Sequence, residues 1–186
     1  MELIDVLEKR RAVRVYLDKP LDRATVEQLI HCATLAPSAM NLQPWAFAVI
    51  IGKQRIEKLG QRIKDSLLKN FSETVYGPSI RGMIEKPEYS LLHDAPVLVL
   101  VMAKSPEPQA LEDCCLAAQN LMLAARDRDI GTCWVGFARP WLNLAEIKSE
   151  LGIAEKYHVV APIVMGYPKS WPDSHGRNAP EIHWLS

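Results

Sequence analysis

Ala36-Pro37-Ser38-Ala39-Met40-Asn41-Leu42-Gln43-Pro44-Trp45 leads directly into Ala46-Phe47-Ala48-Val49-Ile50-Ile51. The stretch from Trp45 to Ile51 is apolar, aromatic and β-branched, and of strand length, so it predicts a buried strand. The segment before it is a turn bracketed by two prolines. It displays the Ser38 hydroxyl and the Asn41 and Gln43 amides, groups that both donate and accept. Such groups suit the edge of a planar heterocycle or sugar hydroxyls better than a hydrolytic centre. The same residues also suit an ordinary helix-to-strand connection.

Toward the N-terminus, Val26, Leu29, Ile30 and Ala33 follow the helical period and predict a helix over 22–35 that Pro37 ends. Thr25 with Gln28 resembles a capping box, and Asp22 is an alternative N-cap. Residues 2–10 form a short amphipathic helix running into Lys9-Arg10-Arg11. Toward the C-terminus, Ile56, Leu59, Ile63 and Leu67 predict a helix over 53–69. Residues 70–94, broken by Gly77-Pro78, Gly82 and Pro87, read as a long loop or lid. Further strands are predicted at 96–103, 132–137 and 158–165. A helix that is apolar nearly all round is predicted at 109–127, and a short one from Asn143 to Gly152. Residues 169–186 have no period and are expected to run along a surface. Alternating strands and helices with no repeat or linker indicate one α/β-type domain over 1–186. No G-x-G-x-x-G follows a strand, so a standard dinucleotide fold lacks its main support.

The chain has 186 residues, 22 Lys plus Arg and 22 Asp plus Glu, for a net charge of zero. Neither nucleic acid nor an anionic membrane is an expected partner, since both call for a basic surplus. The hydrophobic content of 48% supplies a sizeable core. The longest apolar run, Ala95 to Ala103, is about half a membrane helix. The charged start Met1-Glu2-Leu3-Ile4-Asp5 argues against a signal peptide, so a cytoplasmic location is expected. Cys32, Cys114, Cys115 and Cys133 then read as free thiols, and their spacing fits no metal site.

Two further segments carry chemistry. In Lys9-Arg10-Arg11-Ala12-Val13-Arg14, planar guanidiniums suit phosphate oxygens, and Arg10 and Arg14 fall on one side of a helix or its continuation. Alternatively, these cations offset a helix dipole in water. In Ile130-Gly131-Thr132-Cys133-Trp134-Val135-Gly136-Phe137, two glycines flank a strand, which allows close approach of a ligand to backbone or simply a tight turn and a bulge. His93-Asp94 is a weak candidate for handling protons.

Taken in order, these segments resemble the nitroreductase family of FMN-dependent oxidoreductases. Arg10-Arg11-Ala12-Val13-Arg14-Val15-Tyr16 matches its R-R-S-x-R-x-[FY] pattern with Ala12 in place of serine. Ala36 to Trp45 matches A-P-S-x-x-N-x-Q-P-W. Residues 129–136 match G-[LI]-G-T-C-W-x-G with Asp129 in place of the first glycine, and Gly166-Tyr167-Pro168 with Arg177 closes the series. The resemblance covers nearly the whole chain. It implies an α+β fold, a central mixed or antiparallel sheet flanked by helices, with a domain-swapped C-terminal tail. It also implies a homodimer holding FMN at its interface. Arg10 and Arg177 would bind the phosphate, with Arg11, Ala12 and His175 nearby, and Arg14 would face the ribityl and pyrimidine side. Pro37, Ser38, Ala39, Met40, Asn41 and Gln43 would come from the partner subunit, and backbone at Trp134, Val135 and Gly136 would approach flavin N5 and O4. Lys86 is a further candidate for the pyrimidine. The implied activity is hydride transfer from NADH or NADPH through the flavin to a nitroaromatic or quinone. A flavin-binding or delivery protein, or a flavin-degrading or dehalogenating relative, are the alternatives.

Overall fold

A computed structural model describes residues 1–72 and 77–185. Helix α1 spans Leu3–Lys9 and α2 spans Arg23–Thr34. Asp22 caps α2: its carboxylate accepts from the Thr25 backbone N–H at 2.8 Å and the Thr25 hydroxyl at 2.7 Å. The cap is therefore Asp22, and Thr25 serves as its partner.

Strand β1 is Trp45–Ile51, followed by α3 (Lys53–Lys69), α4 (Pro78–Glu85), β2 (Val97–Ala103) and α5 (Pro108–Asp127). Then come β3 (Gly131–Trp134), α6 (Arg139–Leu142), α7 (Ala145–Glu150) and β4 (His158–Gly166). The strands form one sheet in the order β1-β2-β4-β3, with every neighbouring pair antiparallel. The architecture is α+β, which corrects the α/β-type reading of the alternation. The excursions return the chain to the end of the sheet it left: Ile51, which ends β1, pairs with Val97, which begins β2. Among the described residues no right-handed parallel crossover is made.

Helices cover both faces. Val97, Val99 and Val101 pack with Leu29 of α2 and Ala117 and Leu121 of α5 on one side. Leu98, Leu100 and Met102 pack with Ile56 and Ile63 of α3 and Leu142 of α6 on the other. This makes β2 buried throughout and explains its unbroken apolar sequence. Helix α5 departs from the all-round apolar reading: Asp113 and Arg126 are buried, while Cys115 and Leu116 face outward.

Three boundaries differ from the sequence reading. Residues 70–94 hold helix α4, with Gly77 as its N-cap at φ 77° and Pro78 in its first turn. Strand β3 stops at Trp134, and Gly136–Ala138 tightens into a 3-10 turn instead of extending the strand. Helix α7 begins after Leu144 because the Asn143 side chain is occupied elsewhere. It donates to the Val159 carbonyl and accepts from the Val159 N–H, both at 2.9 Å, like a ladder partner.

Candidate functional site

The chain between α1 and α2 carries three of the candidate arginines. Arg10 ends α1, and the chain then runs extended, with Ala12 bridging Thr132 of β3 and the Val13 N–H donating to the Thr132 carbonyl at 2.9 Å. Arg10 and Arg14 are therefore not on one helix face. Val13 is buried and its successor Arg14 exposed, as alternation in an extended segment requires. The Tyr16 hydroxyl donates to the Val13 carbonyl at 2.6 Å, and burial pushes the Tyr16 phenol well above its usual pKa. Gly166 lies under this segment and under Pro96: a Cβ there would meet Pro96 at 2.7 Å and the Tyr16 ring at 3.0 Å.

The opposite end of the chain supplies a fourth arginine. The start of the tail is stitched down by Leu17 N–H to the Tyr167 carbonyl at 2.8 Å and Lys169 N–H to the Val15 carbonyl at 3.1 Å. Trp171 then lies over the guanidinium of buried Arg126 at 3.8 Å from the ring centroid. Farther on, the tail brings Arg177 close to Arg10. The Arg10 pKa is lowered by burial first, then by the charges of Arg177 and Arg11. Among the described residues none of Arg10, Arg11, Arg14 and Arg177 pairs with a carboxylate. Arg11 is held by the Glu8 and Arg10 carbonyls, and its Nε is buried without a partner. Crowded cations with no counter-charge form a site suited to an anion, and bidentate guanidiniums suit phosphate. His175 is exposed.

Arg14 of the segment between α1 and α2 lines a cleft of about 690 Å³. One end is polar, with Arg14, Tyr89, His93 and Cys133. The rest of its lining is apolar: Ile80 and Met83 of α4 with Trp134, Val135 and Phe137. Burial pushes the Cys133 thiol up despite Arg14 beside it, and burial and Arg14 push His93 down to about 4. Near neutral pH the polar end therefore has one full charge, Arg14, among neutral groups.

Tyr89, Ile80 and Met83 were absent from the sequence candidates, and His93 figured there only with Asp94 as a proton-handling pair. Lys86 is not in the cleft; its carbonyl accepts instead from the buried ammonium of Lys64 at 2.7 Å. The same ammonium donates to the Tyr89 carbonyl at 3.1 Å, so Lys64 holds the turn that delivers Tyr89.

The Pro37–Gln43 turn stands apart. Its backbone is fixed by Asp113, whose carboxylate accepts from Ala39 N–H at 3.2 Å, and by Ser38 Oγ, which accepts from Gln43 N–H at 3.0 Å. The Gln43 amide donates to Asn41 Oδ1 at 2.9 Å. Met40, Asn41 and Gln43 all have left-handed φ (49°, 53°, 48°), and Met40 is 92% exposed. None of these residues lines the cleft. Trp134 is in register with Ile163, Val99 and Val49, three strands across and four residues along from Trp45. At ordinary sheet spacings that is roughly 20 Å corner to corner. Within one chain, the sequence candidates therefore fall into two separate groups.

The fold is thus an antiparallel α+β sheet flanked by helices, with arginines near one corner that pair with no carboxylate among the described residues, and a partly apolar cleft that Arg14 enters. The chain belongs to the nitroreductase family, whose model matches residues 7–167. It is 31% identical over 192 residues to a 4-nitrobenzoate reductase of Pseudomonas putida, covering 87% of this chain and 83% of that protein. It is 29% identical over 173 residues to an Archaeoglobus fulgidus protein provisionally named NADH dehydrogenase/NAD(P)H nitroreductase, covering 92% and 88%. Its fold matches the FMN-bound nitroreductase of Bacteroides fragilis NCTC 9343 with a TM-score of 0.85 at 24% identity, covering 100% of both chains. Among the described residues no helix is long and apolar enough to cross a membrane.

Proposed function

We propose that this chain is a cytoplasmic FMN-dependent oxidoreductase that takes hydride from NADH or NADPH and reduces an electrophilic acceptor such as a nitroaromatic or quinone. The observation that carries this is the cluster of Arg10, Arg11 and Arg177, which pair with no carboxylate among the described residues, on and beside the segment that sends Arg14 into the cleft. The names of the family relatives support the chemistry. The bound FMN would supply the redox chemistry of a ping-pong hydride transfer.

The residues act by binding and orientation. Arg10 and Arg177 neutralise the phosphate, and Arg14 offsets negative charge near the pyrimidine. Backbone from Trp134 to Gly136 would flank the isoalloxazine, and Ile80, Met83 and Phe137 would keep water from the face where nicotinamide and acceptor bind in turn. No side chain acts as a nucleophile.

The remaining ligands come from a second copy. Pro37 to Gln43 cannot reach the cleft of their own chain. They lie on a surface with Leu35 at 67%, Met40 at 92% and Leu42 at 69% exposure, while the tail leaves Ile182, Trp184 and Leu185 in water. A two-fold dimer covers such surfaces and places the Ser38–Asn41 turn of one subunit against the cleft of the other.

The test is the absorption spectrum of the purified protein with its released cofactor identified, followed by stopped-flow reduction with NADH and NADPH. Bound FMN bleached rapidly by either nucleotide is expected. A colourless protein that takes up no FMN overturns the proposal, and bound FMN that neither nucleotide reduces leaves a binding or delivery protein.

A further inference from the structure

The tail is fastened to the body at one last point before it reaches the arginines. Beyond the Tyr16–Pro168 bridge and the Lys169 bond to Val15, Trp171 is half-buried, and every residue from Pro172 to Leu185 is exposed. Arg177 follows six residues after Trp171. Its guanidinium donates to the Gly176 carbonyl at 2.6 Å, and the Gly176 N–H donates to Ser174 Oγ at 3.3 Å. Both bonds are internal to the tail, so neither fixes where the tail lies. The charge of Arg177 also bears on Arg10, and two cations repel. Something else must hold Arg177 there.

Trp171 rests on a prepared surface. Arg126, in the last turn of α5, is 9% exposed, and its guanidinium lies under the Trp171 ring at 3.8 Å from the centroid. Its Nη1 donates to Asp129 Oδ1 at 2.9 Å, while its Nε is buried without a partner. A guanidinium bonded through one edge still offers its flat face to an aromatic ring, which needs no further hydrogen bond. Asp129 has left-handed backbone at φ 54°, and its N–H donates to the Arg126 carbonyl at 3.1 Å. Aspartate is among the few side chains that tolerate this conformation. Standing where the resembled pattern has glycine, it keeps the turn and adds a carboxylate that orients Arg126.

Resting on the FMN reading above, we infer that Arg126 and Trp171, set by Asp129, form a latch that holds the tail where Arg177 can join Arg10 on the FMN phosphate. Neither residue lines the cleft. Both are positioning residues, acting through Arg177. The latch orders the tail before the ligand arrives, so binding does not bear the cost of bringing two like charges together. Its effect falls on the phosphate and leaves the ring system untouched.

The experiment titrates the full-length protein, freed of flavin, with FMN and with riboflavin, followed by flavin fluorescence. Trp171→Ala and Arg126→Met are each expected to weaken FMN binding about tenfold, the scale of one desolvated cation–π contact, and to leave riboflavin binding unchanged. Trp171→Phe keeps an aromatic face and most of the preference for FMN. In an Arg177→Ala background Trp171→Ala has no further effect, since both changes act through one guanidinium. Thermal unfolding confirms that each variant is folded. Should Arg126→Met fail to fold, the half-buried Trp171 decides alone. A Trp171→Ala protein that keeps the wild-type preference overturns the latch. Parallel loss of both flavins overturns it too, because the ring then supports the fold at large. A wild-type protein that binds neither flavin overturns the FMN reading and this inference together.

Discussion

Gly131 lies so close beneath Val13 that a Cβ built on it would stand 2.7 Å from the Val13 Cβ, inside any real contact. Val13 is itself 1% exposed and hydrogen-bonded across to Thr132, so it has no room to retreat. Gly131→Ala must push the 10–16 segment off the sheet edge, and the arginines on either side of Val13 move with it. We expect a loss of about 1–3 kcal/mol in stability and a weaker FMN affinity. Urea unfolding and flavin titration measure the two effects. A variant unchanged in both would mean that the segment does not depend on this contact.

Arg10→Ala is expected to weaken FMN binding by about 2–4 kcal/mol, since it leaves a phosphate short of a charge-assisted partner. Arg177→Ala should do the same. Both cations act on one group, so the double variant should lose less than the sum. Riboflavin, which has no phosphate, should bind equally to wild type and both variants; isothermal titration of the two ligands checks each statement.

Lys64 is 6% exposed and satisfies two backbone carbonyls, those of Lys86 and Tyr89. Lys64→Met keeps the length of the side chain and orphans both acceptors. The expected cost is about 1–3 kcal/mol. Hydrogen exchange over residues 86–94 should quicken while that of the β2 amides does not, which separates loosening of one turn from global destabilisation.

The pH dependence follows from His93. Burial and the charge of Arg14 lower its pKa from 6.5 to about 4, while Asp94 opposes the shift weakly. Between those values the unfolded chain binds a proton that the folded chain refuses, so folding stability rises with pH. This contribution is fully present above pH 6.5 and drains away as pH falls toward 4. Its size is on the order of 2 kcal/mol once partial exposure is discounted. Chemical denaturation at pH 7 and pH 4.5 should show the drop, and His93→Asn should shrink it.

Much of the fold was legible because particular residues signal locally. Trp45 to Ile51 read as a strand, and the structure gives β1 those bounds. But β1 lies at the sheet edge, where only Trp45 and Ile50 are buried and Val49 and Ile51 are exposed, which corrects the buried-strand reading. Periodicity located α2 and α3 because each packs one face on the sheet, and α5 was located by its length of apolar sequence. Strand direction was not legible: alternation of helix and strand says nothing about which end of the sheet a connection returns to. Helix α4 was missed because Gly77-Pro78 reads as a break, yet glycine before proline is also how a helix can begin. The arginine segments were legible from residue type and order. His93 was not, because its value depends on a left-handed turn and on neighbours from β3 and the 10–16 segment, none of which sequence adjacency to Asp94 announces.

The corner-to-corner separation of Pro37–Gln43 from the Arg14 cleft has a genetic consequence. If each site draws one half from either subunit, a lesion in each half can be placed on different chains. Co-expressed Arg177→Ala and Asn41→Ala subunits would then form mixed dimers in which one site collects both lesions and the other collects none. Random pairing restores about a quarter of the sites, although neither parent has an intact one. Two inactive proteins that become active on mixing would reveal an architecture that no single-chain measurement can.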